Sequence, residues 1–327
     1  MQRNIRFRLV KLCCIALLAL TLTVACHSSS PQSSSGVSEV TSAPKSECRT
    51  VEHTLGTVCI PFSPERVVAL DPRYVVDPLL SLGIQPIAMS VYNVQEQETL
   101  AGLTAEQTAD IERVGDTYQP SIEKILSLKP DLILAVEFAH QAIYEQLAAI
   151  APTVLLEYDI ENFETYPSFK ANLQRLANIF AKEAEAKEVL SEYQSRIDAL
   201  RQQTGPNPEE LEITLLLRYS DAYGLPHPEH TSHEIFSDIG LQDNINETRS
   251  DSVSLEVLPE YAPDILLIMD YENNPESFFL DNPIIASLDA VKNDLVYFVD
   301  PETWSANGPL GVNKMLDDLF LFLPEKP

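Results

Sequence analysis

Eleven residues stand where this chain could do chemistry: Arg73, Tyr74, Tyr92, Tyr118, His140 and Tyr158 in the first half, and Arg218, Tyr219, Tyr223, Tyr271 and Trp304 in the second. Each follows or closes an apolar run that reads as a strand, and open α/β sheets bind ligands beyond the carboxyl ends of their strands. The set is mostly aromatic, with one Arg at the end of the first main strand of each half. A guanidinium fork suits carboxylate or hydroxamate oxygens, while aromatic rings cover apolar parts. The residues together predict a cleft for a large, flat, partly anionic ligand, with Arg73 and Arg218 as its principal contacts.

Other chemistry finds little support. His227, His230 and His233 lie within seven residues and could ligate zinc or haem iron. Pro226 and Pro228 break any helix that would align them, so a polar loop at the edge of the cleft is expected instead. There is no G-x-S-x-G elbow, no phosphate-cradling P-loop and no Cys–His nucleophile pair. No catalytic residue, no metal ligand and no cofactor is therefore expected.

The elements that must position these residues alternate. Strands are predicted near Arg66–Leu70, Gln85–Ser90, Asp131–Val136 and Thr153–Tyr158, with helices between them. Strands near Glu212–Tyr219, Asp264–Asp270 and Asp294–Val299 repeat the pattern in the second half, which closes with a helix over Gly308–Leu321. Such alternation predicts an α/β fold with mostly parallel sheets. Ser121–Ala135 (SIEKILSLKPDLILA) is echoed by Ser254–Met269 (SLEVLPEYAPDILLIM), with Pro-Asp seven residues after Glu123 and after Glu256. A long-period echo suggests one architecture built twice. Between the halves, Phe169, Leu173, Leu176 and Phe180, then Val189, Tyr193, Ile197 and Leu200, follow helical spacing. About 35 helical residues would span roughly 50 Å, with a kink near Ala181.

The amino terminus points outside the cytoplasm. Met1–Lys11 holds four basic residues and Leu12–Val24 is nearly all apolar, the pattern of a signal peptide over residues 1–25. Residues 26–47 are rich in Ser and Pro and suit a flexible tether. Cys48 and Cys59 flank a His53–Gly56 turn and are expected to form a disulfide, two buried thiols being the alternative. The 327 residues carry a formal charge of −27; without residues 1–25, 18 basic side chains face 49 acidic ones, a balance of −31. Nucleic acid is excluded as a partner, because a phosphate backbone needs a basic surface.

Two resemblances sharpen this reading. Leu22-Thr23-Val24-Ala25-Cys26 resembles the bacterial lipobox, which implies that Cys26 is lipidated and holds the protein on a membrane. The run His53-x-x-Gly56-x-Val58-x-Ile60-Pro61-x-x-Pro64-x-Arg66-Val67-Val68-Ala69-Leu70 is similar to the opening of periplasmic binding proteins for iron–siderophore and cobalamin complexes. The similarity extends through Gly115-Asp116, Ile122-Glu123, Lys129–Ile133 and Ala151–Val154. It implies the helical-backbone class of ABC-importer binding proteins. These have two Rossmann-like lobes, here residues 48–160 and 206–327, joined by one long helix within residues 161–205. It also implies a monomer in the periplasm or on the cell surface, with Glu123 and Glu256 meeting basic residues of the permease. The expected ligand is a ferric siderophore of hydroxamate or citrate–hydroxamate type. Haem or cobalamin is the alternative, and an extracytoplasmic enzyme or adhesion protein the reading from another class.

Overall fold

Alternate residues of the central strands enter different cores, and this period of two builds both halves of the molecule. Leu132, Leu134 and Val136 join one apolar cluster, while Ile133 and Ala135 join another on the opposite face of the sheet. Ile265, Leu267 and Met269 likewise part from Leu266 and Ile268. Strands buried on both faces need continuous apolar sequence, as parallel sheets covered by helices do. The computed structural model describes residues 48–94, 97–158, 167–244 and 252–324. The expected signal peptide, Cys26 and the expected tether to residue 47 lie outside the described residues, as does part of the segment expected to link the lobes. Ser46–Pro327 forms one compact unit that holds both sheets.

The first lobe begins with the hairpin β1 (Cys48–His53) and β2 (Gly56–Pro61), whose Cys48 and Cys59 are disulfide-bonded with Cα atoms 5.6 Å apart. Its main sheet contains β3 (Val67–Ala69), β4 (Ala88–Val94), β5 (Gln97–Thr99), β6 (Glu112–Asp116), β7 (Gln119–Pro120), β8 (Leu132–Val136) and β9 (Thr153–Leu156). The order is β7-β6-β4-β3-β8-β9, with β5 beside β4, and β6-β4-β3-β8-β9 pair in parallel. Helices α1 (Asp77–Ser81), α2 (Ile122–Leu128), α3 (Glu137–His140) and α4 (Tyr144–Ala148) connect the strands.

The link is α5 (Phe169–Phe180) followed by α6 (Glu183–Thr204). The expected kink at Ala181 is a full break. Ala181 is left-handed (φ 54°), and the Lys182 N–H turns back to the Ala177 carbonyl at 2.9 Å, a helix-terminating pattern. The two cores are therefore joined by two shorter helices, not a continuous rod of about 50 Å. Helix α6 is 22 residues and about 33 Å long. Helix α5 also reaches both cores, with Phe169 in the second lobe's and Leu173 in the first's. Ala186 of α6 packs in the first lobe's core, and Tyr193, Ile197 and Leu200 pack in the second's.

The second lobe has β10 (Glu212–Tyr219), β11 (Ala222–Gly224), α7 (Thr231–Ile239), β12 (Gln242–Asp243), β13 (Ile265–Asp270), α8 (Glu276–Leu280), α9 (Pro283–Ala286), α10 (Asp289–Lys292), β14 (Val296–Val299), α11 (Pro301–Trp304) and α12 (Pro309–Phe322). The strand order is β11-β10-β13-β14, with β12 also on β10. The echo of α2 is only a 3₁₀ segment, Leu255–Glu260, because Pro259 within it cannot support an α-helical turn. The lobes are fastened to each other by three sets of polar contacts. Asp77 of α1 accepts the N–H groups of Leu310 and Gly311 at the start of α12, both at 2.9 Å. Glu302 accepts from the Leu100 and Ala101 amides (3.1 and 2.8 Å), and Lys314 Nζ donates to the Gly102 carbonyl at 2.6 Å.

Candidate functional site

Where β3 ends, Asp71 is fully buried and organises the turn that follows. Its carboxylate accepts the Tyr74 N–H (2.6 Å) and the Tyr92 hydroxyl (2.5 Å). An Asp before Pro72 is an N-cap signature, and the chain makes one wide π-helical turn over Pro72–Val76. That turn places the Arg73 guanidinium 5.7 Å from the Tyr74 ring centre and 5.3 Å from that of Tyr92, within cation–π range. Burial raises the Asp71 pKa, against the hydrogen bonds and the Arg73 charge that favour its ionised form. Burial also works against the Arg73 charge, but Tyr74, Tyr92 and Asp71 outweigh it and raise the pKa, so the guanidinium stays protonated. Arg73 Nε is buried without a hydrogen-bond partner, and Arg73 forms no ion pair among the described residues.

Around Arg73 the rings form a wall. Tyr92 lies 6.0 Å from Tyr118, Tyr118 6.2 Å from Phe138, and Phe138 5.9 Å from Tyr74. Across from it, Tyr219 and Tyr271 meet edge to face at 5.8 Å. Tyr118 and Tyr219 are 58% and 65% exposed, so both rings are open to solvent beside the cleft they line. Between these walls lies a cleft at the carboxyl ends of β3, β4, β6, β8, β10, β13 and β14. Its outer compartment is about 690 Å³ and its inner one about 230 Å³, and Arg73, Tyr74, Tyr271 and Ser305 line both. Cavities of this size suit a small-molecule ligand.

Six of the expected contacts come together here: Arg73, Tyr74, Tyr92, Tyr118, Tyr219 and Tyr271. Five do not. Arg218 neighbours Leu217 and Tyr219, which line the cleft, so strand alternation turns it to the other face. There it pairs with Asp221 (2.9 Å) and Glu272 (3.5 Å) and lies 4.8 Å over the ring of Tyr223, which is likewise outside the cleft. Trp304 has no exposed surface; its indole N–H donates to Asp318 at 2.8 Å, and its ring packs beside Phe236. The single helical turn α11 aims it into the second lobe's core. His140 is buried, accepts the Val136 N–H at 3.1 Å, and has its pKa lowered to about 4 by burial. Tyr158 is buried 4.3 Å from Tyr74 and supports that ring from behind.

The histidines divide. His227 and His230 line the inner compartment, whereas His233 pairs with Asp243 at 2.9 Å. No metal-binding cluster of His, Cys, Asp or Glu occurs among the described residues. Burial, helped by the Arg73 charge, holds His230 near pKa 4 and hence neutral. Sequence reasoning missed Asp71, Phe138 and Glu302. Asp71 had a signal in its position before a Pro at a strand end; Phe138 and Glu302 had none.

Residues 67–303 match the family described as periplasmic binding protein, nearly three quarters of the chain. The chain belongs to the periplasmic binding protein family. Among similar periplasmic binding proteins, the Fe(3+)-citrate-binding protein YfmC of Bacillus subtilis is 32% identical over 308 residues, covering 93% of each chain. The putative ABC transporter substrate-binding lipoprotein YhfQ of the same organism is 30% identical, covering 94% of this chain and 96% of its own. The crystal structure of Staphylococcus aureus SirA complexed with staphyloferrin B superposes with a TM-score of 0.69 at 26% identity, covering 85% of this chain and 99% of SirA. The two glutamates implicated by the resemblance are both exposed, Glu123 in the first turn of α2 and Glu256 in the 3₁₀ segment. No helix among the described residues is long and apolar enough to cross a membrane.

Proposed function

We propose that this chain is the substrate-binding lipoprotein of an ABC importer and captures a ferric siderophore, of hydroxamate or citrate–hydroxamate type, in the cleft between its lobes. The observation that carries the proposal is Arg73: one charged guanidinium that forms no salt bridge among the described residues, set in a wall of tyrosines at the strand ends. Such a group attracts the anionic oxygens that wrap ferric iron, and the rings cover the ligand's carbon skeleton. The iron arrives already chelated, so the protein supplies binding rather than chemistry. The names of the Fe(3+)-citrate-binding protein YfmC and of the probable siderophore-binding lipoprotein YfiY, both of Bacillus subtilis, support this ligand class over haem or cobalamin.

In this reading Cys26 is lipidated and residues 26–47 tether a monomer to the outer face of a membrane, as the lipoprotein name of YhfQ supports. Residues 48–160 and 206–327 are the two walls of the cleft, and Glu123 and Glu256 dock on the permease. The first test is calorimetric titration with ferric trihydroxamates and with ferric citrate. Arg73→Ala should weaken the bound complex roughly a hundredfold, the loss of one charge-assisted contact of about 3 kcal/mol. Unchanged affinity would remove Arg73 from the site. Charge reversal of both Glu123 and Glu256 to Lys should abolish uptake in cells while leaving affinity intact; normal uptake would sink the docking role.

A further inference from the structure

The charge on the two walls of the cleft is unequal. Among the described residues, Arg73 is the only Lys or Arg that lines the cleft, and it belongs to the first lobe. The second lobe lines the outer compartment with Asp270, Asp300 and Glu302. None of the three forms an ion pair among the described residues. The nearest guanidinium on that strand, Arg218, is committed to Asp221 and Glu272. The three carboxylates also accept hydrogen bonds from backbone amides, which fix them in place. Asp270 accepts from the Glu272 and Asn274 N–H groups, Asp300 from those of Glu302 and Thr303, and Glu302 from those of Leu100 and Ala101.

The remaining titratable groups do not reverse this polarity. On the first lobe, Glu98 is neutralised by Arg113 at 2.9 Å, and Asp116 adds one more negative charge beside Tyr118. In the inner compartment His230 is neutral near pH 7, and Glu229 is acidic. The cleft thus offers one cation, on one side, and an excess of fixed carboxylates opposite it. A ferric complex with several net negative charges would be drawn to Arg73 and repelled by everything facing it.

We infer that the ligand is dipolar: its chelated ferric centre sits against Arg73 and the tyrosine wall, and a protonated amine on its backbone or tail lies against Asp270, Asp300 and Glu302. This rests on the siderophore-carrier reading and narrows it to complexes of zero or positive net charge with an ammonium group. Such a ligand satisfies both walls at once, and the acid wall then selects against anionic competitors by repulsion.

The test compares two linear ferric trihydroxamates that differ only in a terminal primary amine, free in one and N-acetylated in the other. Both are titrated calorimetrically into the mature protein at about 50 and about 500 mM NaCl, which spans strong and weak screening. The free amine should bind roughly tenfold tighter at low salt, and the preference should shrink at high salt. Asp300→Asn keeps a good helix N-cap and should cut the preference to roughly a third. Equal affinity, or tighter binding of the acetylated complex, overturns the inference and leaves the carrier reading standing. So does tight binding of anionic ferric citrate with neither hydroxamate bound. No binding of any ferric complex overturns both.

Discussion

Gly308→Ala tests the fastening between the lobes by adding a single methyl group. Gly308 has extended backbone (φ −142°, ψ 161°) that any residue can adopt, so the substitution carries no conformational strain of its own. A Cβ built there, however, falls less than 3.0 Å from three atoms of the Asp77 side chain. Asp77 is fully buried and cannot move aside without releasing the Leu310 and Gly311 N–H groups, which begin α12 and have no other helical partner. A hydrogen bond contributes about 0.5–1.5 kcal/mol to a neutral acceptor and about 1.5–3 kcal/mol to a charged one, and Asp77 lies between the two because burial raises its pKa to about 7. Partial re-solvation of the freed groups recovers some of this, so the expected loss is about 2–4 kcal/mol. For a protein of this size that corresponds to a fall in Tm of roughly 5–15 °C. The assay is urea denaturation followed by circular dichroism, with Asp77→Asn in parallel. Asn keeps one acceptor and should lose roughly half as much. If Gly308→Ala unfolds within about 0.5 kcal/mol of the wild type, inside the range of neutral surface changes, Asp77 is not a fastening and the lobes are held by the linking helices and the Glu302 and Lys314 contacts.

Tyr92→Phe removes the hydroxyl that donates to Asp71 and leaves a buried carboxylate short of a partner. Equilibrium unfolding should show a loss of about 1–3 kcal/mol, and ligand affinity should fall as the turn bearing Arg73 loosens. Trp304→Phe should cost stability through the lost bond to Asp318 yet leave ligand affinity unchanged by calorimetry, and acrylamide should barely quench wild-type Trp304. The His233–Asp243 pair raises the His233 pKa, chiefly through that hydrogen bond. Its stabilisation is therefore full below the unfolded-state value near 6.5 and is lost as pH rises through the raised folded value. His233→Gln should lower Tm at pH 6 and have little effect at pH 9; an equal effect at both would contradict the ionic account.

The architecture was legible because it rests on local pattern. The run over β10 was read to its residue limits, and the apolar stretches over β8 and β13 could be little other than buried strands, since nothing in them can face water. The cleft's first-lobe wall followed, because Arg73 and Tyr74 come directly after a strand end whatever the strand packs against. The second-lobe wall was harder. Leu217, Arg218 and Tyr219 are consecutive, and sequence favoured the guanidinium; only the sheet's placement against α7 and α12 decides which parity faces the cleft. The break at Ala181 had no Gly or Pro to announce it.

By itself the sequence determined the secondary elements, the repeated α/β order and the family, because hydrophobic periodicity and motif spacing are properties of neighbours along the chain. Tertiary structure alone decided which polar groups share a space. Asp77 and Gly311 are 234 residues apart, and Glu302 lies 201 residues from Ala101. Whether Trp304 meets ligand or core, and whether an acid faces Arg73 or solvent, depends on how two sheets are set against each other. That setting comes from close packing of side chains distant in sequence, on which local spacing has no bearing.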